Sequence, residues 1–308
     1  MRIIITGATG LIGKSLCKQL NPNYEIVALS RNIERAQTSL GPNVKIVKWD
    51  GISTNQLAKY IDGAFAVINL AGAPIASGRW THAKKQRILQ SRLDATKAIA
   101  DAIVSAKNKP RVLIQSSAIG YYGFGHTEAL DETSPPGEGF LADVCKEWEF
   151  QAKPVESVGT RCVIIRTGIV LSHEGGALPR MITPFKFFLG GYPGSGQQWV
   201  SWITLEDEVA AIRFLMENPQ MSGAFNLTSP NPVTMKRFCQ TIGDILKKPC
   251  WLAIPPLVLR LIFGKMADET LLCSQDVIPK RLLDSGFTLK YTNITEALEN
   301  IFKKREKL

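Results

Sequence analysis

The residues with the clearest chemical potential stand at the start of the chain. TGATGLIG, residues 6–13, sets Gly7, Gly10 and Gly13 between a β-rich run, RIIIT, and a segment with helical spacing, LIGKSLCKQL. Each glycine has a physical task. Gly7 permits a tight turn, Gly10 lets the backbone approach a pyrophosphate, and Gly13 lets the helix pack closely on the strand. Amides at the helix N-terminus then face the negative charge. This strand–turn–helix context points to a dinucleotide. The end of the second strand tells which one. An acid there would bind the adenosine ribose hydroxyls, but the chain has Ser30-Arg31 and no acid until Glu34. A hydroxyl and a guanidinium suit a 2′-phosphate, because Arg makes charge-assisted, bidentate bonds to it. NADP is therefore expected over NAD. Asp50, at the end of the third strand, either bonds the adenine amino group or caps the helix that follows.

The elements that must position these groups alternate along the first two-thirds of the chain. RIIIT, YEIVALS, VKIVKW, FAVINLAG, RVLIQSSA and TRCVIIRTGIVL read as six strands, each but the last followed by a helical segment; the longest of these covers about residues 82–107. Ile- and Val-rich strands alternating with helices imply an α/β fold with a parallel sheet covered on both faces. Right-handed crossovers make that sheet doubly wound, of the Rossmann type. After about residue 172 glycine and proline become frequent, as in HEGGALPRM and LGGYPGSGQQW, and such stretches often border a ligand cleft. Residues 1–172 are read as the nucleotide-binding domain. Residues 173–308 are read mainly as a smaller substrate-side lobe, with some segments returning to the sheet. A chain of 308 residues is long enough for both.

Bulk properties narrow the function classes. The net charge of +10 would suit an anionic partner, but the basic residues are scattered and the one dense cluster is the C-terminal KKREK, so no nucleic-acid partner is expected. No apolar run approaches the roughly 20 residues of a membrane helix. LAIPPLVLRLIFG is broken by Pro255, Pro256 and Arg260, so no membrane partner is expected either. MRIIITGATG carries no signal-peptide pattern. The six cysteines form no C-x-x-C pair and read as reduced core thiols of a cytoplasmic protein, and the three histidines show no metal-ligand spacing. A small-molecule substrate is the expected partner, and the chain is read as a monomer or homodimer. The long helix offers a dimer face.

Several stretches occur in order: TGATGLIG, VINLAG, GRWTHAKKQRILQSR, SSAIGYYG, DETSPP, RTGIVL, GSGQQWVSWITLED and PKRLLDSGF. Together they resemble extended short-chain dehydrogenases/reductases. More narrowly, they resemble the atypical branch labelled NAD-dependent epimerase/dehydratase, family 39U in the human nomenclature. The resemblance covers nearly the whole chain. It implies that the backbone around Thr9, Leu11 and Ile12 holds the pyrophosphate and that Leu70, Ala71 and Gly72 line the adenosine side. It implies that Arg92 turns toward the cofactor and that Leu171 sits near the nicotinamide. The alternatives are a helix-surface ion pair for Arg92 and plain core packing for Leu171. Arg180 and Gln197 become candidate substrate contacts, whereas Asp207 reads as a tie to the following helix.

In typical extended members a Ser or Thr after strand five orients the substrate, a Tyr transfers the proton, and a Lys four residues later lowers that Tyr pKa. Ser117 fits the first role, with Ser116 as the register alternative. The other two are vacant. In the register that ends in Glu149, GFLADVCKEWE puts Leu141 and Cys145 where Tyr and Lys belong, and Lys146 lies about 100° further round the helix. Tyr121 or Tyr122, just beyond the C-terminal edge of strand five where open sheets place ligands, could replace the missing acid; otherwise both are loop anchors. Cys145 is the other thiol or acid candidate, or a packed side chain against Trp148. Two functions follow: an NADP-dependent epimerase, dehydratase or reductase of a small carbonyl or hydroxyl compound, or a cofactor-binding sensor with little turnover.

Overall fold

The structure is a computed structural model that describes residues 1–76, 78–124 and 128–306. The elements run β1 (Arg2–Thr6), α1 (Leu11–Leu20), β2 (Glu25–Ser30), α2 (Ile33–Leu40), β3 (Lys45–Lys48), α3 (Thr54–Ile61), β4 (Ala66–Asn69), α4 (His82–Ser105), β5 (Val112–Ala118), α5 (Phe140–Ala152), β6 (Arg161–Thr167) and β7 (Ile169–Leu171). Then come α6 (Leu178–Lys186), β8 (Gly190–Pro193), β9 (Trp199–Val200), β10 (Trp202–Thr204), α7 (Leu205–Glu217), β11 (Gly223–Leu227), β12 (Val233–Thr234), α8 (Met235–Leu246), β13 (Cys250–Ile254), α9 (Pro256–Phe263), α10 (Lys280–Asp284) and α11 (Ile294–Glu306).

Seven strands form one sheet in the order β11-β6-β5-β4-β1-β2-β3, and every pairing in it is parallel. Side chains alternate between its faces. Ile3 and Ile5 pack under α1 and α7 with Leu16, Leu20 and Ile212. Ile4 packs on the other side with Leu57 of α3 and Ile99 of α4. Near-continuous apolar runs are what a strand covered on both faces requires.

One feature departs from the sequence reading. TRCVIIRTGIVL is two strands, not one. The chain leaves the sheet at Gly168, where a Cβ would stand 2.7 Å from the Ser201 carbonyl oxygen, and β7 pairs instead with β10. The seventh strand, β11, comes from residues 223–227 and returns to the edge beside β6. A third core, built on Phe185, Trp202, Phe238 and Leu298, lies among α6, β10, α8 and α11. Among the described residues no helix is long and apolar enough to cross a membrane.

Candidate active site

The glycine turn has the geometry that a diphosphate requires. Gly7 has φ +65°, and a Cβ on it would lie 2.5 Å from the Leu70 carbonyl oxygen. A Cβ on Gly13 would lie 2.4 Å from the Gly7 oxygen, so α1 can sit this close to the turn only with glycine there. Gly10 serves as N-cap without a side-chain hydrogen bond. Among the described residues the amides of Leu11 and Ile12 have no partner, while Gly10 and Lys14 bond back to Gly7 and Gly10. Unclaimed amides at a helix N-terminus are a ready anion cradle, and Thr9 is half-buried beside them. Nothing in this cradle conflicts with a bound dinucleotide.

At the end of β2 the Ser30 hydroxyl donates to the Asn32 carbonyl oxygen at 2.9 Å, and Arg31 is exposed next to it. Asp50 accepts from the Ile52 and Ser53 amides at 2.9 and 2.8 Å and from the Ser53 hydroxyl. That hydroxyl and those amides hold its carboxyl below the ordinary range. The carboxylate is therefore engaged in the turn that precedes α3, whose N-cap is Ser53, and does not cap the helix itself. Leu70 and Ala71 follow β4; their amides bond to Thr6 and to the Asn69 side chain.

Arg92 is neither in a surface ion pair nor free. Its Nη1 donates to the carbonyl oxygens of Ala73 and Ile88 at 3.1 and 2.9 Å, and its guanidinium lies 4.8 Å from the Trp148 ring centre. It rests against Gly72, where a Cβ would come within 3.0 Å of Cζ. Burial lowers its pKa, and no carboxylate pairs with it among the described residues. Leu171, by contrast, is fully buried in the third core with Trp202, so its side chain follows the packing alternative.

Under these groups runs a chain of buried polar side chains, one from nearly every strand end. Thr6 donates to Asn69 at 2.6 Å, Asn69 donates to Thr96 and Gln115 at 2.9 Å each, and the Trp148 indole donates to Thr96 at 2.9 Å. A second network starts at Ser117, whose hydroxyl donates to Glu149 at 2.6 Å. Arg166 grips the same carboxylate with Nε and Nη2, both at 2.9 Å, and gives Nη1 to the Tyr122 hydroxyl at 3.1 Å. Tyr122 donates onward to Asn226 at 2.7 Å. Such networks are strong when every member is satisfied.

The network separates the two tyrosines. Tyr122 is fully buried, its hydroxyl is spent, and burial outweighs Arg166 in pushing its pKa up to about 12. It is the loop anchor, which corrects its place among the proton-donor candidates. Tyr121 is half-buried, its ring centre 3.4 Å from the Arg166 guanidinium carbon, and its hydroxyl has no partner among the described residues. The vacated helix positions are closed by packing. A Cβ on Gly120 would come within 3.3 Å of Leu141 Cβ and 3.9 Å of Cys145 Sγ. The Leu141 amide is held by Glu269 at 2.8 Å. Burial, then the charge of Glu149, pushes the Cys145 thiol up to about 11. Ser117 and Arg92 act against that rise, so a cation does stand near this cysteine, but it does not prevail. Lys146 turns to Asp143 at 2.7 Å on the surface of α5.

On the facing lobe Arg180 donates to the Ala76 carbonyl oxygen at 2.5 Å, joining α6 to the loop after β4. The Gln197 side chain is exposed. Asp207 accepts from the Thr204 hydroxyl at 2.8 Å and from the amides of Lys290 and Tyr291, tying three segments together. Among the described residues no cluster of His, Cys, Asp and Glu could hold a metal ion; His126 lies outside them. Glu149, Arg166 and Asn226 are the site residues that the sequence reading missed. The available signal was that apolar strands end in polar residues: RIIIT, AVIN, VLIQSS, CVIIR and GAFN.

Comparison with known proteins gives matches over the whole length. Residues 3–228 match the model of the NAD dependent epimerase/dehydratase family, and residues 254–301 match a domain of unknown function. The chain is 38% identical over 310 residues to the epimerase family protein SDR39U1 homolog, chloroplastic, of Arabidopsis thaliana, covering 98% of this chain and 87% of the relative. It is 38% identical to the epimerase family protein YfhF of Bacillus subtilis, with 99% of both chains covered. Among solved structures, human epimerase family protein SDR39U1 (isoform2) with NADPH superposes with a TM-score of 0.88 at 31% identity, covering 98% of this chain and 99% of that one.

Proposed function

The chain belongs to the NAD-dependent epimerase/dehydratase family, and from that premise we propose that it binds NADP(H) and transfers hydride to or from a small carbonyl or hydroxyl compound. The observation that carries this reading is the cradle formed by Gly7, Gly10 and Gly13 with the unclaimed Leu11 and Ile12 amides, with Arg31 exposed at the end of β2. The human relative solved with NADPH supports the same cofactor.

When bound, the dinucleotide supplies or accepts the hydride, a reaction that asks of the protein chiefly alignment and polarisation. The residues of this chain divide the remaining work. Arg92, a half-buried cation without a carboxylate partner, meets an anionic group of the cofactor or substrate. Ser117 gives its proton to Glu149, which leaves its oxygen to accept from a substrate hydroxyl. Tyr121, with its hydroxyl unclaimed among the described residues, moves the proton in place of the missing helix tyrosine. Arg180 and Gln197 stand at the rim. Epimerisation or dehydration demands more acid–base equipment than this, so a reductase is the easier task.

The second reading is a cofactor-binding sensor with little turnover. It is favoured by Leu141 and Cys145 at the expected Tyr and Lys positions and by the buried network that occupies Ser117 and Tyr122. Titration of nicotinamide fluorescence tests the cofactor. Arg31→Ala should weaken NADPH by about 1.5–3 kcal/mol, the worth of charge-assisted bonds, and leave NADH nearly unchanged; equal losses for both would remove the phosphate role. Turnover with a panel of aldehydes, ketones and nucleotide sugars tests the chemistry. Tyr121→Phe should lower kcat and spare NADPH affinity. Tight NADPH binding with no turnover across the panel would favour the sensor.

A further inference from the structure

The least ordinary surface of the molecule is on the smaller lobe. Phe187 is 69% exposed, Trp251 71%, and Leu257 and Leu261 67% each. Single exposed apolar side chains are common, but a contiguous set is not. Here Trp251 lies against the 187–189 turn, and α9 continues the chain from the far end of the same strand. The strands β8 and β13 pair in parallel, so the 187–189 turn before one adjoins the start of the other, and the Trp251 indole donates to the Phe188 carbonyl oxygen at 3.3 Å. The helix α9 follows β13 after Pro255 alone.

This helix inverts the usual order of a surface helix, which turns its apolar stripe inward. Leu259 is buried, while Leu257, Val258, Leu261 and Ile262 form an outward stripe one helical turn in length. The charges around it are mainly basic, although Asp268 stands beside Arg260 and Asp244 acts on Cys250 at the start of β13. No Asp or Glu occurs in residues 175–205 or in residues 245–267, and those stretches carry Arg180, Lys186, Lys247, Lys248, Arg260 and Lys265. The Lys248 ammonium stands 3.5 Å from the Phe188 ring centre. Arg260 alone of these is partly neutralised, by Asp268 at 2.8 Å.

We propose that this face, made of the 186–189 turn, β13 and α9, docks on an anionic lipid surface. Aromatic and aliphatic side chains enter the headgroup boundary while the flanking lysines meet the lipid charge. At eight residues α9 lies in the interface and is far too short to span, which takes about 20 residues. A second copy of the chain is the poorer occupant, because a two-fold contact would set this basic rim against itself. The face adjoins the cleft, since Gly264 at the end of α9 lies against Arg79 of the loop after β4.

The test is flotation of the full chain, with NADPH present, on phosphatidylcholine vesicles with and without phosphatidylglycerol. The protein should float with the anionic vesicles, release at high salt and stay behind with phosphatidylcholine alone. The double variant Leu257→Glu/Leu261→Glu should reduce the bound fraction by roughly tenfold or more, with melting temperature and NADPH titration unchanged. Lys247→Glu/Lys248→Glu should weaken binding chiefly at low salt. The proposal is overturned if anionic vesicles do not retain the protein, or if the Leu257/Leu261 variant floats as the parent does. A non-floating dimer by light scattering that dissociates in that variant would overturn it too, since the occupant would then be a second copy.

Discussion

Around the Gly7–Gly13 turn the groups that face the ligand space are backbone amides, and those of Leu11 and Ile12 are unclaimed among the described residues. Around Ser117 the groups are side chains, and most already have partners: Ser117 with Glu149, Glu149 with Arg166, Arg166 with Tyr122, Tyr122 with Asn226. The first region is set by the absence of side chains and waits for a charge from outside. The second is set by complementary side chains and has neutralised itself. In the proposed function, binding and turnover therefore rest on different physics, and a chain can keep the first while its grip on the second changes.

The sharpest way to break this contrast is to open the closed region. Glu149→Ala would leave Arg166 buried and unpaired, and removing one partner of a buried pair costs about 3–5 kcal/mol. Urea denaturation should register that loss while the folded fraction still titrates NADPH with nearly parental affinity. A loss under about 1 kcal/mol, the value of an exposed pair, would mean that the network is not closed. Damage to the open region should do the reverse. A Cβ at Gly13 forces the turn apart, with an overpacking cost of about 1–3 kcal/mol. Gly13→Ala should thus weaken NADPH about tenfold to a hundredfold, read by fluorescence titration.

Glu208 sharpens the comparison from a third side. It is a buried carboxyl like Glu149, but among the described residues only the Thr167 hydroxyl serves it, at 2.8 Å, and its second oxygen lacks a partner. Burial pushes it up to about 8 from an ordinary 4.5, against the Thr167 hydrogen bond. A raised folded-state pKa means that folding takes up a proton between those values. Stability is then fully present below the lower value and falls as pH rises through the higher. Glu208→Gln carries no such proton. Its stability relative to the parent should climb between pH 5 and 8, by on the order of 1 kcal/mol per pH unit at most. Thermal melts at a series of pH values would show it, and a flat difference would place the carboxyl in contact with water.

The glycine turn was legible because its signal is local: three glycines at fixed spacing between a strand and a helix. The alternation of strands and helices was legible for the same reason. Gly168 was not, since the need for glycine there comes from the Ser201 carbonyl, over thirty residues away in the chain. Tyr121 and Tyr122 are adjacent and chemically alike, and only the surroundings of Arg166 and Asn226 divide an anchored hydroxyl from an unclaimed one. The apolar stretch LAIPPLVLRLIFG was legible as short and broken by prolines, but the outward orientation of Leu257 and Leu261 on α9 could not be read from composition.

By itself, then, the sequence determined the doubly wound sheet, the glycine turn and the absence of Tyr and Lys at positions 141 and 145, because periodicity, backbone freedom and residue identity are properties of short stretches. Tertiary structure alone decided that the Ser117 hydroxyl donates to Glu149, that the Tyr122 hydroxyl is engaged while that of Tyr121 has no partner among the described residues, and that α9 turns Leu257 and Leu261 outward. Each of those depends on hydrogen bonds and burial between segments far apart in the chain, and partner choice at that distance is fixed by the packing of the whole.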